Sequence, residues 1–393
     1  ELRKIGDRSI ELVAVCDLNT QNASDLADEA ASLLGAKPRV FDDLGMMIRD
    51  TDELESADCT TDSGSHHRVA ADLLDLGLHT MVEKPLALTI KGCERVIAAA
   101  ERSGKLLSIA ENYRRDPINR LIRSLLDDGA IGDRQFIMES AVRGRDDLII
   151  TPWRHQKLSG TITVDSGVHN ADILQYFFGD AFSAYGQTRL FHPVRSARNL
   201  AGPGGYYEKW AKDVPGTVEA TGEDAIFGLI TFAGGTLGQW VDHHAGHGQP
   251  MQHRLIFGTA GSISAPVDRT GKPVRLVLDD GTDISDASIL EYAPSYRLDP
   301  TASALFGEDR PWSYAYDFAT TDRKLLAIEY AELAGCIRSG TAPEVDGVTG
   351  KRAVALVLAL FESQLASRPV TISEIEAGTV NEWQREIDEH YGL

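Results

Sequence analysis

Short apolar runs alternate with helical patterns through the first 110 residues, and that rhythm is the strongest constraint on the fold. Residues 10–17 read as a buried strand ending in an acid, residues 22–34 as a helix stopped by Gly35, and residues 39–41 as a brief strand. The acidic stretch 42–55 reads as helical. A Ser/Gly-rich run, 57–66, leads into a helix over 69–76. Residues 80–82 form a short buried strand closed by Glu83-Lys84-Pro85; a helix runs on to Arg102, and 106–110 is another strand. Strands and helices taking turns at this spacing build βαβ units and a parallel sheet. Pro85 has no N–H and biases Lys84 toward an extended backbone, and Thr89 is placed to cap the next helix. Lys84 thus stands where a strand stops, at the edge of an open α/β sheet where ligands bind. A surface lysine in a turn is the plain alternative.

Beyond residue 130 the texture changes. Residues 135–142, 184–190, 224–231, 236–241, 252–258 and 274–278 read as sheet, with hairpin signals at Gly234-Gly235 and Asp280-Gly281. Helices are expected at 168–178, 316–338 and 351–365, and a surface loop at 202–216. The fold class expected is α/β: a Rossmann-like doubly wound parallel sheet over residues 1–130, then an α+β domain over 131–393 with a large open, mostly antiparallel sheet.

Composition narrows the function. A net charge of −20 without any Lys/Arg-rich run disfavours nucleic acid and suits a protein handling a small ligand. No apolar run approaches the ~20 residues needed to span a bilayer. The four cysteines show no Cys-x-x-Cys and no zinc spacing, which points to free thiols in a reducing cytoplasm.

Four clusters offer chemistry. Asp17 ends a strand, where an acid accepts hydrogen bonds from an adenine-ribose and repels a 2′-phosphate; no arginine follows in Leu18-Asn19, so NAD is favoured over NADP. Its alternative is a helix cap. The Gly-x-Gly-x-x-Gly turn that should precede it is not in the sequence, where only Gly6 comes before Asp17; either the first strand and its phosphate loop lie upstream of residue 1, or Asp17 serves no nucleotide. Asp165 and His169 are four apart, so on one helix a carboxylate would orient an imidazole for acid/base work; a capping Asp165 is the alternative. Tyr113-Arg114-Arg115-Asp116-Pro117 follows a strand end on the Lys84 side, or is a solvated turn. His243, His244, His247 and His253 lie close together; without paired Cys or Glu at ligand spacing they read as cleft-lining polar groups and not as a metal site.

Together these stretches resemble the glucose–fructose oxidoreductase / inositol 2-dehydrogenase / MocA family. The resemblance rests on Val13-Ala14-Val15-Cys16-Asp17, Thr61-Asp62-Ser63-Gly64-Ser65-His66, Glu83-Lys84-Pro85-Leu86-Ala87, Asn112 through Pro117, Trp153-Arg154, and Asp165-Ser166-Gly167-Val168-His169 with Asp172. A C-terminal match is Phe318 with Gly340, Pro343, Gly350 and Arg368-Pro369-Val370. Asp62 stands where the family has proline, and 57–61 is shorter and more polar than the family's fourth strand.

The resemblance implies a Rossmann-like domain followed by an open-sheet domain whose last helices pack back on the first. It implies Lys84, Asp165 and His169 as the catalytic positions. It implies an NAD cofactor lined by Asp17, Asn19, Thr61, Ser63, His66, Glu83, Lys84, Asn112, Trp153 and Arg154. Its substrate class is a sugar, glycoside or cyclitol, for which Tyr113, Arg154, Asn170, His243, His244 and His247 are candidate partners. Oxidising a secondary hydroxyl needs a base for the proton: His169, oriented by Asp165, with Lys84 on the reacting oxygen. Two other functions share these features: a lyase or glycosidase that oxidises its sugar transiently with retained NAD, and a non-catalytic sugar or nucleotide sensor. An uncovered sheet face in the second domain is expected to pair copies into a homodimer or homotetramer.

Overall fold

The computed structural model describes residues 1–198, 200 and 214–393, so the loop expected at 202–216 lies, up to residue 213, outside the described residues. Strand β1 (Ala14–Cys16) leads into helix α1 (Thr20–Leu34), capped by the Asn19 side chain on the Gln21 amide and ended at Gly35, φ +82°. Strand β2 (Arg39–Phe41) pairs parallel with β1. Helix α2 (Leu44–Asp50) follows, capped by Asp43. Strand β3 (Ser56–Cys59), helix α3 (His66–Asp75), strand β4 (His79–Glu83), helix α4 (Ile90–Ser103) and strand β5 (Leu107–Ala110) complete the βαβ run. Thr89 caps α4 through Gly92.

The expected strand over 10–17 is cut to three residues because only Val15 is fully covered, by α1 and β2. The helix expected over 42–55 spans only Leu44–Asp50, and residues 51–55 connect it to β3. The polar run at 57–61 does contain a strand: β3 takes its conformation from parallel pairing with β4, tertiary context overriding weak propensity.

The parallel sheet is in two pieces, β1-β2 and β3-β4-β5. In the doubly wound order 3-2-1-4-5-6 these are ranks two and three, then four to six. Among the described residues no strand fills the first rank between them.

Helix α5 (Pro117–Asp127), capped by Asp116, leads to strand β6 (Arg134–Gly144). Three helical segments follow: α6 (Lys157–Gly160), α7 (Ile162–Asp165) and α8 (Gly167–Phe178). Then come β7 (Ala181–Arg189), β8 (Val194–Ser196), β9 (Thr217–Glu219), β10 (Ala225–Phe232), β11 (Leu237–Gly246), β12 (Met251–Gly258), β13 (Gly261–Ala265), β14 (Arg275–Leu278) and β15 (Asp283–Ile284). Helices α9 (Pro300–Phe306), α10 (Phe318–Ser339) and α11 (Gly347–Ala366), strand β16 (Val370–Thr371), and helices α12 (Ile372–Glu376) and α13 (Glu382–Tyr391) finish the chain. Nine strands form one sheet, ordered β15-β14-β13-β12-β6-β11-β10-β7-β16. All its pairs are antiparallel except β6 with β11, so the mostly antiparallel expectation holds.

One face of this sheet is covered by α8 and α11. The cover is close: a Cβ on Gly228 would lie 2.4 Å from Leu360, so β10 needs glycine there. On the other face Tyr185, Phe227, Leu229, Leu237 and Phe257 are exposed. Helix α11 also reaches back: Ile109 donates to the Val345 carbonyl just before it, at 2.9 Å. One continuous apolar core therefore runs from β4 and α4 through α8 to α11.

Candidate active site

Lys84 directly follows the end of β4, and the Lys84–Pro85 peptide is cis. Its Nζ donates to the Asp165 carbonyl at 2.8 Å and to Asp165 Oδ1 at 3.0 Å, with both side chains largely buried. The other Asp165 oxygen takes Arg154 Nε at 2.9 Å, and the Arg154 guanidinium lies over the Trp153 ring at 4.3 Å. Burial alone would raise the Asp165 carboxyl; Lys84 and Arg154 outweigh it and hold the group well below the ordinary carboxylate range. Lys84, Asp165, Trp153 and Arg154 are thus brought together from four sequence positions.

The expected Asp165–His169 pair is not formed. Asp165 ends α7, and Ser166 separates it from α8, on which His169 sits. His169 Nδ1 instead meets the Glu111 carboxylate, at 2.7 and 2.9 Å. Burial pushes Glu111 up, but the His169 ring and its hydrogen bond bring it below its ordinary value. The spacing argument failed because one helix was assumed where there are two. Glu111 was missed although it immediately precedes the Asn112 stretch; its signal is the acid just beyond the end of β5, parallel to Glu83 at the end of β4.

The Tyr113 ring stacks on His169, centroids 4.3 Å apart and planes 3° apart, and Arg269 lies over Tyr113 at 5.0 Å. Arg269 has φ +62° and its amide is held by Asp116 Oδ2 at 2.8 Å, which aims its side chain at this corner. Beneath α8, Arg114 Nε grips Asp172 at 2.8 Å. Arg115 is no solvated turn residue: it is buried and paired with Glu332 and Glu344. Asn170 is buried on α8 beside His169.

The histidines divide. His244 is buried with Nε2 at 2.8 Å from Ser166 Oγ and 3.0 Å from Asp242, so it braces the α7–α8 junction. His243 points to the opposite face of β11, against Phe191 and Phe227. His247 lies past the end of β11, with its Nε2 2.9 Å from that of His192. Contrary to expectation, neither joins the Lys84–His169 cluster: strand alternation turns His243 to the face opposite His244, and His247 lies beyond the strand beside His192.

Several features bear on whether a dinucleotide fits. The Asp17 carboxylate is exposed past β1; Oδ1 takes the Asn19 amide at 2.8 Å and Oδ2 has no partner among the described residues. Ser63 Oγ is buried without a partner among the described residues. Glu83, at the end of β4, is in no ion pair among the described residues, and burial pushes its carboxyl up to about 7. These match a donor- and acceptor-rich ligand along the strand ends. Two expected contacts are already engaged: His66 spends its ring on the Pro85 and Thr61 carbonyls, at 2.7 and 3.0 Å, and Asn112 donates to Asp322 on α10 at 3.3 Å.

A parallel sheet with charged residues at its strand ends, followed by a large mixed sheet, is the architecture of a Rossmann-type dinucleotide-binding protein. Residues 2–111 match the oxidoreductase family with an NAD-binding Rossmann fold, and 119–264 match the GFO/IDH/MocA C-terminal domain. The chain belongs to the GFO/IDH/MocA oxidoreductase family. It is 24% identical over 369 residues to D-apiose dehydrogenase of Paraburkholderia graminis, covering 93% of this chain and 84% of that one. It is 25% identical over 244 residues to levoglucosan dehydrogenase of Pseudarthrobacter phenanthrenivorans, covering 61% and 62%. The crystal structure of a levoglucosan dehydrogenase in complex with NADH superposes with a TM-score of 0.69 at 20% identity, over 92% of this chain and 90% of that one, a likeness of fold.

Proposed function

We propose that this protein oxidises a secondary hydroxyl of a sugar, glycoside or cyclitol with NAD. The observation that carries the reading is the Glu111–His169 pair beside Lys84. A carboxylate on Nδ1 keeps the proton there and leaves Nε2 as the base. His169 takes the hydroxyl proton. Lys84 has two N–H groups on Asp165, and its third stabilises the developing alkoxide. Asp165 and Arg154 hold Lys84 in place. Tyr113, Asn170 and Arg154 face the substrate, and His244 orders the α7–α8 junction behind it.

NAD, when bound, would supply the hydride acceptor. Asp17 and Asn19 would hold its adenine-ribose end; Thr61, Ser63, Glu83 and Lys84 would line it along the strand ends, with His66 and Asn112 shaping them, and Trp153 and Arg154 would serve its nicotinamide end. The dehydrogenases of D-apiose and levoglucosan among its relatives support a carbohydrate substrate. Assay of NAD reduction across pentoses, anhydrosugars and inositols tests the proposal; no reduction with any of them counts against it.

The domain division near residue 130 is proposed on the change from parallel to mixed sheet. A homodimer or homotetramer is proposed on the exposed apolar residues of the nine-stranded sheet. No helix among the described residues is long and apolar enough to cross a membrane. Four free cysteines support a cytoplasmic location.

A further inference from the structure

Helix α13 bonds to elements of both the parallel-sheet region and the second region. Gln384 accepts from the Ile90 amide at 2.9 Å, at the start of α4. Lys157, before the α6–α7 corner, pairs with Glu386 at 2.7 Å and lies over the Trp383 ring at 5.2 Å. Trp383 Nε1 donates to Glu223 at 2.9 Å. At the last turn, Tyr391 Oη donates to the Leu158 carbonyl at 2.6 Å, and its ring meets His67 edge-on at 4.8 Å.

The same hydroxyl presses on Gly64. A Cβ there would lie 2.2 Å from Tyr391 Oη, 3.2 Å from its Cζ and 3.0 Å from Asp62 Oδ1. Gly64 follows Ser63, whose buried Oγ has no partner among the described residues. The turn is closed on itself, the Ser65 amide and hydroxyl both bonding to Asp62, at 2.9 and 2.8 Å. Across from it, a Cβ on Gly160 would meet Trp153 at 3.0 Å and Ser63 at 3.4 Å. The turn from the first sheet and the Trp153–Gly160 loop from the second region therefore meet at one tyrosine.

We propose that Tyr391 is a positioning residue for the cofactor. It pins the Asp62–Ser65 turn against the Trp153 loop, so that Ser63 and Trp153 are presented at a fixed separation, and cofactor affinity is set from the far end of the chain. This rests on the dehydrogenase reading above. Tyr391 touches none of Lys84, Glu111 or His169, so it acts on binding and not on proton transfer.

The test is a cycle of Tyr391→Phe, Gly64→Ala and the double variant in full-length protein, read by NADH fluorescence titration and by the split of KM for NAD against kcat. Tyr391→Phe removes one hydrogen bond and should weaken NADH binding roughly threefold to tenfold, with kcat at saturating NAD nearly constant. Gly64→Ala should weaken binding by about tenfold or more, since the methyl must displace the Tyr391 hydroxyl or the turn. The double variant should bind better than Gly64→Ala alone, because the closest atom is gone. Strictly additive losses, or Tyr391→Phe with wild-type affinity, overturn the proposal; the second result decides even if Gly64→Ala does not fold. Wild-type protein that binds no NADH overturns this proposal and the dehydrogenase reading together, whereas wild-type binding with no effect of Tyr391→Phe overturns this one alone.

Discussion

His169 Nδ1 lies 2.7 Å from a Glu111 oxygen, while Asp165, four residues before it, gives both carboxylate oxygens to Lys84 and Arg154. Two carboxylates therefore divide the work: Glu111 faces the imidazole, and Asp165 faces the Lys84 ammonium and the Arg154 guanidinium. Glu111→Gln removes the charge that fixes the imidazole tautomer. We expect kcat to fall roughly 10²-fold or more with little change in cofactor affinity. Stopped-flow and steady-state rates on the folded variant check this; wild-type turnover would return the role of orienter to another group.

Lys84→Met and His169→Ala should each lower kcat by roughly 10²-fold or more. The double variant should be little worse than the worse single, because both serve one proton transfer. NADH affinity should survive His169→Ala better than Lys84→Met, since Lys84 stands at the cofactor edge. Independent, multiplying losses would argue that the two act in different steps.

Asp165 makes stability depend on pH in a fixed direction. Its folded carboxyl is held below the unfolded value by Lys84 and Arg154. A depressed carboxyl contributes stability that is complete above the unfolded pKa, about 4, and is lost as pH falls through the folded value. Wild type should therefore exceed Asp165→Asn in unfolding free energy by a constant margin from pH 7 to about 5, narrowing only below pH 4. Denaturant titrations across that range check it; a margin that grows toward acid would contradict the sign.

Asp17 should make NAD(H) bind at least about tenfold tighter than NADP(H), about 1.4 kcal/mol. Among the described residues its carboxylate has an oxygen open to ribose hydroxyls and no cation paired with it to receive a phosphate. Asp17→Ala should erase most of the preference, and equal affinities in wild type would remove Asp17 from the site.

The open sheet face should be an interface between copies. Phe227→Asp and Leu229→Asp place charges amid its exposed apolar residues and should dissociate the assembly. Light scattering of wild type at micromolar concentration that gave a monomer mass would refute the premise.

The sequence was most readable where period and chemistry coincide. The Glu83-Lys84-Pro85 strand end, the capped α4 and the two glycine hairpins follow from local rules, and Gly235 and Gly281 do adopt positive φ. The Lys84–Asp165 meeting could not be read locally, because it spans 81 positions and depends on domain packing. The Asp165–His169 expectation failed at a helix break that no proline or glycine signals between them except Gly167, itself the first residue of α8. The histidine cluster misled for a geometric reason: neighbours on a strand face opposite ways.

The divided parallel sheet carries a dynamic consequence. Strands β1 and β2 share with α1 a small core of Val15, Ala23 and Ala27, backed by Val40 and separate from the main one. A unit with so few buried contacts opens locally at lower cost than the rest. Its amides should exchange with deuterium well before those of β4 and β5. Asp17 rides on that unit, so a dinucleotide that engages it must also quiet it. Occupancy should then register as slowed exchange in β1 and α1, far from the carbon being oxidised.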